Sequence, residues 1–130
     1  MMMIPRVYQP STPPEERAGE GFVPPADAIE RMGEYNEELA KAGALVALEG
    51  LHPIFKGARV SFDGAGNTVT DGPFIESKEV IGGFWIIKVA SKEDAVAWAR
   101  RVPAEAGDVI EVRPIFGMED FPGSTGGEQP

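Results

Sequence analysis

The 130-residue chain has no cysteine. This excludes disulfides, thiol nucleophiles and thiolate metal sites together, and it agrees with a reducing compartment. Histidine occurs once, at His52. A single imidazole among scattered carboxylates makes a poor zinc site, and no loop motif supports a hard, oxygen-ligated ion. Neither a metal nor a cofactor is therefore expected. No apolar stretch approaches the roughly 20 residues of a membrane span. The opening Met1-Met2-Met3-Ile4-Pro5-Arg6 is too short and too broken for a secretory signal. The expectation is a soluble, cytoplasmic protein with no membrane partner.

Basic residues are scarce, 12 Lys and Arg against 21 Asp and Glu, for a net charge of −9. The acidity is concentrated in the flanks: residues 15–30 hold five acids and one arginine, and residues 118–130 hold three acids. A phosphate-tracking surface needs clustered bases. The only adjacent pair, Arg100-Arg101, reads as a solvated helix end, so no nucleic-acid partner is expected. No phosphate-cradling glycine loop is present, because Gly64-Ala65-Gly66 is too short and leads into a strand. A nucleophile elbow is missing too.

What is present amounts to one domain. A 42% hydrophobic content supports a single small core. Residues 2–8 read as a short first strand, with Pro5 suited to an edge. Residues 9–25, with five prolines and two glycines, read as a long loop of the kind that is either disordered or functional, often as a lid. Phe22 and Val23 are its only large apolar anchors. From Pro25, apolar residues at Ile29, Met32, Leu39 and Ala42 recur at helical spacing, and Gly43 provides a stop. Ala44-Leu45-Val46-Ala47-Leu48 reads as a strand covered on both faces. Residues 59–62 and 67–70 flank a glycine-permitted turn and predict a hairpin.

Gly83-Phe84-Trp85-Ile86-Ile87-Lys88-Val89 is the strongest strand signal. Ser91 then caps a second helix carrying Ala95, Trp98, Ala99 and Val102, and Pro103 ends it. Residues 109–116 read as the last strand. Residues 1–117 thus form one domain, and 118–130 an acidic, glycine-rich flexible tail. Two helices packed on an antiparallel sheet predict an α+β sandwich. Neighbours on a strand alternate faces, so either Phe84 or Trp85 lies on the face the helices leave open. Covering that face with a second copy predicts a homodimer.

Asp71-Gly72-Pro73-Phe74, followed by Glu76, Lys78 and Glu79 and then Gly82-Gly83-Phe84-Trp85, resembles the core of the DGPF, or YCII-related (YciI-like), family. Glu49-Gly50-Leu51-His52-Pro53 resembles the segment preceding the hairpin in that family, and Glu111-Val112-Arg113-Pro114-Ile115 its last strand. The resemblance covers residues 27–117. It implies a ferredoxin-like α+β fold with an inserted hairpin, paired through its sheets into a dimeric α/β barrel. Related barrels include cofactor-free enzymes acting on small molecules, and some DGPF modules are joined to regulators. The histidine that the YciI branch carries on its first helix corresponds here to Met32.

The residues offer two readings at each position. Asp71 is either a turn cap or a carboxylate at a cavity mouth, taking a proton or orienting a base. His52 is either an exposed turn residue or the general base, since histidine titrates near neutrality. Glu49, ending an apolar strand, either pairs with Arg113 or Lys78 or serves as a second carboxylate at a cavity. Glu76 and Lys78 belong to a solvated loop or contact a ligand. Phe74 and Trp85 pack in the core or interface, or line the cavity. The first functional expectation is a cofactor-free enzyme performing acid–base chemistry on a small organic substrate, with His52, Asp71 and Glu49 catalytic. The second is a non-catalytic ligand-binding or regulatory dimeric module.

Overall fold

The structure, a computed structural model, describes residues 1–72 and 79–123. The expectations placed on Phe74, Glu76 and Lys78, and on most of the tail, lie outside the described residues. Among these residues, six strands and two α-helices run in the order β1 (Met2–Ile4), α1 (Ala26–Lys41), β2 (Leu45–Gly50), β3 (Ala58–Phe62), β4 (Asn67–Asp71), β5 (Gly83–Ile87), α2 (Lys92–Arg100) and β6 (Val109–Glu111).

Four strands form one antiparallel sheet in the order β2-β5-β1-β6. Strand β1 is shorter than the sequence predicts, because Pro5 ends the ladder and a 3₁₀ turn at Arg6–Tyr8 follows. Strand β6 also stops early, at Glu111. Local chemistry sets the start of α2 and the end of α1. Ser91 Oγ accepts from the Asp94 N–H at 3.1 Å and caps α2. Gly43 takes φ +74, which lets the Ala44 N–H reach back to the Leu39 carbonyl at 3.0 Å and close α1.

The core lies between the helices and one face of the sheet. Leu39 is fully buried there, with Met1, Tyr35, Ala44, Trp85 and Val102 around it. Tyr35 meets Trp85 and Trp98 edge-on, at 6.0 and 6.2 Å between ring centroids. The polar tips of these rings are satisfied: Trp85 Nε1 donates to Asn36 Oδ1 at 2.8 Å, and the Tyr35 hydroxyl donates to the Trp98 carbonyl at 2.7 Å. Trp85 therefore takes the core side of the two readings open to it.

Alternation turns Phe84 and Ile86 to the opposite face. Register then places Glu49 opposite Phe84, Phe84 opposite Met2, and Met2 opposite Glu111. A row reading Glu49, Phe84, Met2, Glu111 crosses all four strands on the face the helices leave open. Within one chain strand β2 is covered on one face, where the sequence predicts cover on both: Val46 is 62% exposed, beside an irregularity in the pairing between Leu45 and Ala47. One chain leaves the sheet open, with β2 and β6 as its edges.

Among the described residues, strands β3 and β4 pair only with each other. Every residue in them is exposed, including Val60, Val69 and Phe62, the last at 79%. The turn between them is held by Asp63 Oδ1, which accepts from the Ala65 N–H at 3.0 Å, with Gly64 at φ +87.

Candidate functional site

The proline-rich segment is a packed loop. Its 3₁₀ turn, Pro14–Glu16, is tied back by an Arg6–Glu16 ion pair at 2.8 Å, and the Ala18 N–H donates to the Val7 carbonyl at 2.7 Å. Gln9, Thr12 and Ala18 are buried. Phe22 anchors the loop as its size suggests, edge-on to Tyr8 at 5.9 Å, whereas Val23 is exposed. The Tyr8 hydroxyl donates to the Leu51 carbonyl at 2.7 Å, and burial raises its pKa above the ordinary tyrosine value.

The 71–79 run is held at both ends by this loop and by the turn at Ile54–Lys56. On the entry side, the Gly72 N–H donates to the Gly57 carbonyl at 2.8 Å. A Cβ at Gly72 would lie 1.6 Å from the Ile54 oxygen, so only glycine permits the approach. On the exit side, the buried Gln9 amide brackets Val80: Nε2 donates to the Val80 carbonyl at 2.7 Å and Oε1 accepts from the Val80 N–H at 2.8 Å. Gly82 then passes so close to the Pro5 ring that a Cβ there would come within 2.6 Å of it.

Between these two anchoring segments lies a cleft of about 260 Å³. Pro14, Arg17 and Ala18 line it from the loop, and Pro53, Ile54 and Phe55 from the turn. Among the described residues Arg17 is the only charged group lining it. Sequence reasoning did not single out Arg17, Gln9 or Tyr8. The available signal was the lone arginine in an otherwise acidic, proline-rich stretch.

The residues expected to act together are not joined within one chain. Glu49 is an exposed member of β2, His52 is exposed in the segment after it, and Asp71 ends β4 opposite Ala58, also exposed. Among the described residues, no hydrogen bond or ion pair links His52, Asp71 and Glu49. Arg113, a candidate partner for Glu49, instead approaches Glu111 at 4.0 Å. Met32 packs against the helix-side core. No group of three or more His, Cys, Asp or Glu side chains among the described residues is placed to hold a metal ion, and no described helix is long and apolar enough to cross a membrane.

These features define the class: an α+β protein with two helices on one face of an antiparallel sheet, compatible with a ferredoxin-like fold. The family model described as YCII-related domain matches residues 16–119, and the chain belongs to that family. A search of curated proteins finds no match.

Proposed function

We propose that the chain works as a homodimer that binds a small organic ligand in a cavity between two sheets, the arrangement of a dimeric α/β barrel. The observation that carries this reading is the row Glu49, Phe84, Met2, Glu111 across the open face. An apolar centre flanked by carboxylates is costly to leave in water and suits burial against a second copy, with the acids at the rim. Size exclusion with light scattering tests the dimer. Wild type should run as a dimer at micromolar concentration, and a clean monomer there would overturn the reading.

A second reading makes this dimer a cofactor-free acid–base enzyme, with His52 as base, Asp71 as its orienter and Glu49 as a further carboxylate. One observation favours it. Asp71 pairs with Ala58, and Gly72 is bonded to Gly57, so Asp71 is tied to the short segment that begins at His52. Phe74, Glu76 and Lys78, between the two anchored ends of the run, would contact the substrate. Screening of small oxygenated metabolites with wild type, His52→Ala and Asp71→Asn separates the two. Catalysis by this pair predicts a loss on the order of 10²-fold or more in each variant, while equal turnover in all three removes the assignment.

A further inference from the structure

We propose that the cleft between the proline-rich loop and the Ile54–Lys56 turn is a binding site for a small organic monocarboxylate, held by Arg17. This site lies within one protomer and does not depend on the dimer reading.

The argument starts from charge. Arg6, Arg31, Arg101 and Arg113 each face a carboxylate. Arg17 is half-buried and, among the described residues, has no ion pair and no side-chain hydrogen bond. In a chain of net charge −9, an unpaired guanidinium beside an apolar cleft leaves a recognition demand unmet. Guanidinium donors are arranged as a fork that matches a carboxylate in two parallel bonds. Glu15, Glu16 and Glu20 on the same loop disfavour a dianion such as phosphate, so the complementary ligand is singly charged.

The walls set the rest of the ligand. Pro10, Pro14, Pro53 and Phe55 present apolar surface, and Tyr8 adds a ring. A volume of about 260 Å³ lies just below the usual range of roughly 300–1,000 Å³ for small-molecule sites, which limits the ligand to a compact apolar body. Proline walls are pre-organised, because their φ is fixed before binding, and this reduces the ordering cost.

The test uses benzoate, its neutral isostere benzamide, and inorganic phosphate, titrated into the full chain and followed by amide chemical shifts. Benzoate should give saturable shifts at Tyr8, Arg17, Ala18 and Phe55. Benzamide and phosphate should bind at least about tenfold more weakly, and Arg17→Gln should weaken benzoate by a similar factor. Arg17→Lys should retain part of the affinity. Non-saturable shifts, shifts centred elsewhere, or equal binding of benzoate and benzamide would overturn the proposal. The ligand comparison on wild type decides the matter even if a variant fails to fold. A negative result here leaves the dimer, read by light scattering, untouched.

Discussion

Gln9 and Val80, 71 residues apart, are paired in both directions. The side-chain amide of one donates to and accepts from the backbone of the other, at 2.7 and 2.8 Å. The glutamine thus stands in for a neighbouring strand at a point where the regular ladder has not yet begun, and satisfies backbone groups that water reaches poorly.

Gln9→Ala is predicted to lower stability by about 2–3 kcal/mol, since it leaves a part-buried donor and acceptor without partners. Urea denaturation measures this. A change below about 0.5 kcal/mol, the range of ordinary surface substitutions, would show that the clamp contributes nothing.

Gly72→Ala should cost at least about 3 kcal/mol, because a backbone carbonyl occupies the position of the added methyl and must move. Gly33→Ala is the control. No atom lies within 4 Å of a Cβ there, within α1, and alanine should stabilise the helix by up to about 1 kcal/mol. Thermal denaturation of the two variants should therefore move in opposite directions.

Replacing Asn36 by Leu removes the acceptor for the Trp85 indole N–H. The predicted loss is about 1–3 kcal/mol, with a shift in tryptophan emission as the indole loses its partner. Trp85→Ala removes the ring from the core and should cost about 3–5 kcal/mol.

The Tyr35 hydroxyl has its pKa pushed up to about 12, chiefly by burial, with Arg101 opposing and Glu38 adding to the rise. The folded value lies above the unfolded one of 10.0. Folding therefore holds the proton more tightly. The associated stability is fully present below pH 10 and is lost as the pH rises towards 12. Denaturation midpoints across this window should fall more steeply for wild type than for Tyr35→Phe. Parallel curves would remove the assignment.

Phe84→Glu places a charge at the centre of the open face while leaving the helix-side core untouched. Wild type should sediment as a dimer and the variant as a folded monomer with unchanged helical circular dichroism. A dimeric variant would move the interface elsewhere, and the exposed Phe62 on the hairpin is the next position to substitute.

Much of this architecture is legible in the residue order. Helical spacing of apolar residues, the Ser91 cap, the Gly43 stop and the run 83–87 locate the elements, because these signals act within a few residues of chain. The 71–79 run and the segments around Glu49 and the last strand carried the family assignment. Local chemistry could not decide which of two neighbours faces the core. Phe84 and Trp85 are both strand-forming aromatics, and only the packing of Tyr35 and Asn36 against one face sends Trp85 inward. The role of the proline-rich loop was equally out of reach. Its function as a wall depends on Gln9 meeting Val80 and on Tyr8 meeting Leu51, contacts between segments far apart in sequence. Composition alone determined that the chain has no thiol chemistry, because it holds no cysteine. The tertiary structure decided that Arg17, without an ion pair among the described residues, stands beside an apolar cleft, because the position of a side chain relative to distant segments is set by how the whole chain packs.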